Sequence, residues 1–168
     1  MRANTGWLPS RSTCFRLRNH NWLSLSVPEQ GPNPIVLYDG VCGLCNRLNQ
    51  FLLKRDHHDR LRFASLQSSL AESLLLRHGA DPKELDTVYV VVDHNRPTER
   101  VLSRSDAIIY VLTQLGSAWK VMGIAKLVPR FLRNGVYEIV ARNRYRVFGK
   151  HDACMLPEPK DQKKFLAV

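Results

Sequence analysis

Two thiols three residues apart, Cys42 and Cys45, are the side chains of this chain best suited to chemistry. They form a C-x-x-C pair directly after the apolar run Ile35-Val36-Leu37-Tyr38 and the turn residues Asp39-Gly40. On a helix, residues three apart share a face, so these two can approach closely enough for a disulfide. At the first turn of a helix the free N–H groups and the positive end of the dipole stabilise a thiolate. The thiolate is the attacking species in thiol–disulfide exchange. The order therefore predicts Cys42 as a nucleophile of lowered pKa and Cys45 as the resolving thiol. Cys45, one turn further in beside Leu48 and Leu52, is expected to be less exposed and to titrate later. Gly43 is expected to leave the backbone open to an approaching substrate.

Other readings of the same residues stand beside this one. Asp39 precedes Cys42 by three residues. It can accept or deliver a proton near Cys45, or act as an ordinary turn residue bonding its own backbone before Gly40. A C-x-x-C pair is also half a zinc site, and His151 with Cys154, spaced H-x-x-C, could complete it. Cys154 could equally be a plain exposed thiol, or pair with the redox site. His57 and His58, with Asp56 and Asp59, read as a solvated helix end. Four cysteines in 168 residues are too few for a disulfide scaffold.

The elements that position the pair follow from periodicity. Ile35–Tyr38 reads as a buried strand. Leu44, Leu48, Phe51 and Leu52 share a helical face, which predicts a helix over 43–55. Leu61-Arg62-Phe63-Ala64 reads as a second strand. Leu66, Leu70, Leu74 and Leu75 mark a second helix closed by Gly79. Thr87–Val92 is β-branched and apolar, as a central strand should be. A turn at Asp93–Pro97 lets Arg100–Ser103 return antiparallel. Ser105 or Asp106 can cap a third helix that Gly116 ends. Shorter helices are expected over 118–127 and 130–147, and an irregular tail after Gly149. The first βαβ unit requires a crossover and parallel strands. The fold class read from this order is α/β, a thioredoxin-like central mixed sheet flanked by helices, with extra C-terminal helices.

Charge is unevenly placed in a chain of net charge +10. Residues 34–119 hold ten basic and ten acidic residues, whereas 120–150 hold eight basic residues and only Glu138, a net +7. Such a segment can attract phosphate, anionic lipid or an acidic partner, or be a solvated helix face. Residues 1–33 carry four arginines, several serines and no acid before Glu29. That composition resembles an organelle transit peptide, mitochondrial in preference to chloroplast, and a disordered tail is the plainer reading. The resulting division is 1–33 as targeting segment and linker, 34–158 as the domain and 159–168 as an irregular tail. The longest apolar region, 107–128, is broken by Gln114, Ser117, Lys120 and Lys126, so no transmembrane segment is expected. Alternating basic and aromatic residues near Tyr145 and Phe148 could suggest nucleic acid, but two aromatics on a helix more often pack. No nucleic-acid partner and no cofactor are expected.

Asp39-Gly40-Val41-Cys42-Gly43-Leu44-Cys45-Asn46 resembles the D-x-x-C-x-x-C signature of the DCC family of thiol-disulfide oxidoreductases. Phe63–Gln67, Ser103–Ala107 and Asn143–Lys150, followed by Cys154 and Pro157, resemble three further family segments in family order. The resemblance spans roughly 34–158. It implies a thioredoxin-like fold, a dithiol/disulfide activity on protein or low-molecular-weight disulfides, and Asp39, Cys42 and Cys45 as the redox site. Leu44 stands where thioredoxin itself has a proline, and no proline immediately precedes Thr87–Val92. The alternative is a zinc-stapled or redox-silent binding module that uses the basic C-terminal segment, with peripheral contact to an anionic surface.

Overall fold

The computed structural model describes residues 33–151 and 157–167. Residues 1–32 and Cys154, with the targeting and metal-ligand expectations placed on them, lie outside the described residues. The elements are β1 (Ile35–Tyr38), α1 (Gly43–Arg55), β2 (Arg62–Ser65), α2 (Ser69–Arg77), β3 (Tyr89–Val92), β4 (Arg100–Ser103) and α3 (Arg104–Gln114). A 3-10 segment (Ser117–Leu127), α4 (Arg130–Phe148), a short 3-10 turn (Gln162–Lys164) and β5 (Phe165–Ala167) follow.

The sheet order is β4-β3-β1-β2-β5. β1 pairs parallel with β2, Ile35 opposite Arg62, and antiparallel with β3, Ile35 opposite Val91. β3 and β4 form the antiparallel hairpin. Because side chains alternate across a strand, β1 feeds both faces of the sheet. Val36 and Tyr38 join one core with Leu52, Phe63, Val90, Ala107 and Val111 beneath α1 and α3. Ile35 and Leu37 join the other with Ala71, Leu74 and Leu75 of α2. This is the mixed sheet with flanking helices of a thioredoxin-like fold, extended by the C-terminal helical segments.

Three local expectations are corrected. The chain after Gly149 is not irregular throughout: β5 pairs parallel with β2, and Phe165 stacks on Phe63 at 5.2 Å between ring centroids. A three-residue strand carries no periodicity of its own and exists through the partner it pairs with. The helix end at Asp56 is not solvated. Asp56 is buried, accepts from the backbone N–H groups of Arg60 and Leu61, and pairs with Lys164 at 3.2 Å. His57 and His58 are exposed, as expected. Neither Ser105 nor Asp106 caps α3, which begins at Arg104 after Ser103. Their side chains are engaged by the last long helix instead, Ser105 with Asn134 and Asp106 with Arg133 at 2.7 Å.

Candidate redox site

The β1–α1 junction holds both thiols, in the reduced form. Cys42 is the residue that opens α1, in extended conformation, and its carbonyl accepts the helical bond from Asn46 at 3.0 Å. No side chain caps this turn. The N–H groups of Leu44 and Cys45 are therefore left to a thiolate at Cys42, as the anion-stabilising end of a helix requires. The Cys42 pKa falls to about 6. The main cause is a hydrogen bond from the Cys45 thiol. Burial opposes it, and the Cys45 N–H, the Arg144 charge and the Leu44 N–H add to it. Cys45 moves the opposite way, held protonated by its bond to Cys42, by burial and by the Cys42 charge. Two thiols of one type thus acquire distinct acidities from their positions in one helical turn.

Exposure does not follow the sequence expectation. Cys42 is 0% exposed and Cys45 4%, so both thiols are enclosed. The cover is the chain that leaves α4. Gly43 N–H donates to the Gly149 carbonyl at 3.2 Å, His151 N–H donates to the Val41 carbonyl at 2.8 Å, and Cys42 pairs with Lys150 in an antiparallel bridge. The reading of Gly43 as an opening for substrate is corrected by the same contact. A Cβ there would lie 2.1 Å from the Phe148 carbonyl oxygen, so glycine is needed for the close approach of the α4 end.

Asp39 is fully buried, and four groups converge on its carboxylate. Val41 N–H and Gln67 Nε2 donate to Oδ1 at 3.2 and 2.9 Å. Arg144 Nη2 donates to Oδ2 at 3.0 Å, and the Tyr145 hydroxyl donates to the same oxygen. The Val41 bond is the turn expected of an Asp before Gly40. The Asp39 backbone N–H also favours the Cys45 thiolate. Arg144, itself buried, reaches the Leu85 carbonyl and Asp86 on the segment before β3, and its charge favours a thiolate at either cysteine. Its Nε–H is buried without a hydrogen-bond partner among the described residues. Tyr145, pushed up to about 12 by burial and then by Asp39, remains a proton donor.

The structure brings Asp39, Cys42 and Cys45 together and adds Arg144 and Tyr145, which sequence reasoning had left as a basic-aromatic pair of unknown placement. Asn46 and Asn49, which lie off the helical face of Leu44, Leu48, Phe51 and Leu52, are buried, and Asn46 Nδ2 donates to the Gly40 carbonyl at 3.2 Å. α1 packs on two sides, against the sheet and beside α4, so its polar stripe has an interior role. One signal pointed to Arg144 and Tyr145: both fall within the segment that resembles the family's C-terminal pattern. His151 is exposed, and no group of three or more metal-ligating side chains converges among the described residues.

A buried dithiol at a strand-to-helix junction, its lead thiol acidified and a buried arginine beside it, is an arrangement suited to thiol–disulfide exchange on a thioredoxin-like fold. The family described as DCC1-like thiol-disulfide oxidoreductase matches residues 36–150, and the chain belongs to that family. It is 40% identical over 138 residues to "Uncharacterized protein YuxK" of Bacillus subtilis, covering 82% of this chain and 97% of that protein. It is 34% identical over 129 residues to "DCC family protein At1g52590, chloroplastic" of Arabidopsis thaliana, covering 76% and 72%. No solved structure matches the chain.

Proposed function

We propose that this protein exchanges a Cys42–Cys45 dithiol/disulfide with protein or low-molecular-weight disulfides. The observation that carries the reading is the split acidity of the pair, Cys42 at about 6 and Cys45 raised. In the reducing direction the Cys42 thiolate attacks a substrate disulfide, forms a mixed disulfide and expels one substrate thiolate. Cys45, giving up its proton, attacks the Cys42 sulfur, and the second substrate thiolate leaves. The dithiol loses two electrons, the substrate disulfide gains them, and two protons end on the substrate thiols. The intramolecular second step draws on a high effective concentration.

Asp39 serves this chemistry in two ways. Its backbone N–H favours the Cys45 thiolate that must form in the second step. Its carboxylate anchors Arg144 and Tyr145, so that the Arg144 charge lies within reach of both sulfurs. The enclosure of Cys42 makes displacement of the Gly149–His151 segment part of substrate entry.

Trapping tests the assignment. With oxidised glutathione or a disulfide-bonded protein as substrate, Cys45→Ser should accumulate a mixed disulfide through Cys42, and Cys42→Ser should neither trap nor turn over. Trapping by Cys42→Ser alone would reverse the roles. No trapping by either, with stoichiometric zinc in the purified protein, would replace this reading by the metal-stapled one.

The arginine-bearing, acid-poor residues 1–33 and the chloroplastic name of one relative support an organellar address. Mitochondrion and chloroplast remain the two destinations in play. Import of full-length chain, lost on deletion of 1–33, is the expected result; unchanged location of the truncated protein would refute it.

A further inference from the structure

α4 is inverted relative to an ordinary surface helix. Its polar residues face the core: Asn134 meets Ser105, the Tyr137 hydroxyl accepts from Val88 N–H at 2.9 Å, and Arg144 meets Asp39. Its apolar residues face outward. Leu132, Val136 and Ile139 follow one another at helical spacing along the outer face, and Val147 lies beyond the exposed Asn143; all four apolar residues are exposed. The stripe continues back through Phe131 and Leu127, 73% and 84% exposed. A cluster of exposed large apolar side chains of this kind marks an interaction surface.

Cations frame the stripe. Arg142 and Arg146, four residues apart, form a ridge along the C-terminal half of α4. Lys120 and Lys126 are exposed on the preceding 3-10 segment. None of these four takes part in an ion pair among the described residues. Of the eight basic residues between 120 and 150, Arg130 and Arg133 pair with Asp106 and Arg144 with Asp39, while the segment's one acid, Glu138, is bound to Arg104 at 3.3 Å.

We infer that this face docks on an anionic lipid surface, with the apolar stripe in the headgroup–acyl boundary and the flanking cations among the headgroups. Charge selects this occupant. A second copy would set the unpaired Lys120, Lys126, Arg142 and Arg146 of one protomer against those of the other. Residues 1–32 carry four arginines against Glu29, so they too are of like sign. No helix of the described residues is long and apolar enough to cross a membrane, which fits a surface that lies on the bilayer. Because the chain leaving α4 pairs with Val41–Gly43, docking would hold the dithiol close to the headgroup plane. The docking surface does not depend on the redox reading.

Flotation of the full chain with vesicles of phosphatidylcholine, alone or mixed with phosphatidylglycerol, tests it. The protein should float with the mixed vesicles only, and about 1 M salt, where the screening length is about 3 Å, should weaken the binding. Arg142→Glu with Arg146→Glu should weaken it by about tenfold or more. Val136→Ser with Ile139→Ser changes no charge and should also weaken it, with an unchanged circular dichroism spectrum. Absence of binding to anionic vesicles would overturn the proposal. So would full binding by the Val136/Ile139 variant, which would assign the effect to the arginines of residues 1–32. A wild-type dimer that this variant splits, without lipid binding, would assign the face to a second copy.

Discussion

α1 and α4 lie side by side at the redox centre and use their inner faces in opposite ways. α1 turns its two thiols and Leu52 inward and carries its cations, Lys54 and Arg55, outward at its far end. α4 turns a cation inward, to the buried carboxylate of Asp39, and leaves its aliphatic residues in solvent. The difference separates two tasks. In the proposed exchange α1 supplies the reacting atoms, whose proximity is a local property of one helical turn. α4 adds the Arg144 charge, across a sequence separation of about a hundred residues. A thiol pair placed by one helix is split in acidity chiefly by the hydrogen bond between its own two thiols, and the Arg144 charge from the second helix adds to the lowering at Cys42.

The comparison breaks most completely at Arg144. Replacing it with Met removes the cation but leaves Asp39 buried, and breaking a buried pair in this way costs about 3–5 kcal/mol. Chemical denaturation should show a loss of that order. The surviving folded fraction should show Cys42 titrating above about 6, since the Arg144 charge helps lower it. A stable variant with unchanged titration would mean that α4 merely covers the site.

A smaller effect is expected at the point where the two helices touch. Gly43→Ala forces a methyl group onto the Phe148 carbonyl, and overpacking of this kind costs about 1–3 kcal/mol. Release of the Gly149–His151 segment should also expose Cys42. The variant should therefore be less stable yet alkylate faster at Cys42. Slower alkylation would contradict the covering role of that segment.

The smallest effect is expected at Tyr145. Tyr145→Phe removes one donor to Asp39 while Arg144, Gln67 and Val41 continue to satisfy the carboxylate, so about 1 kcal/mol should be lost. Turnover should fall far less than in Cys42→Ser. A loss equal to that of Cys42→Ser would place the hydroxyl in the proton path itself.

This gradient matches what could be seen in the sequence. The dithiol, its strand and its helix were legible because strand periodicity, turn residues and C-x-x-C spacing are all local. The boundaries 43–55 of α1 follow from the same pattern. The parallel β1–β2 pair followed from the crossover rule. Arg144 and Tyr145 were not legible as site residues, because nothing local tells a basic residue on a long helix whether it faces water or a carboxylate on another strand end. The interior placement of Asn46 and Asp56 was hidden for the same reason: each is buried through a partner, Gly40 for one and Lys164 for the other. The burial of Cys42 was hidden because helix position predicts acidity, whereas exposure depends on which distant segment lies over the turn.

Acidification of Cys42 by the Cys45 thiol, with the α1 terminus and Arg144 adding to it, also fixes a pH dependence of the reduced protein. The folded pKa of about 6 lies below the ordinary free-thiol value of about 8.5, so the stabilisation is fully present above the ordinary value and is lost as pH falls through about 6. Titration of the thiolate by its ultraviolet absorbance, with iodoacetamide reactivity followed in parallel, reads this directly. In the wild-type dithiol form one thiol should ionise with a midpoint near 6 and depend on Cys42, while Cys45 remains protonated through the neutral range. A single transition for both thiols at the ordinary free-thiol value of about 8.5, unchanged by Arg144→Met, would contradict the account.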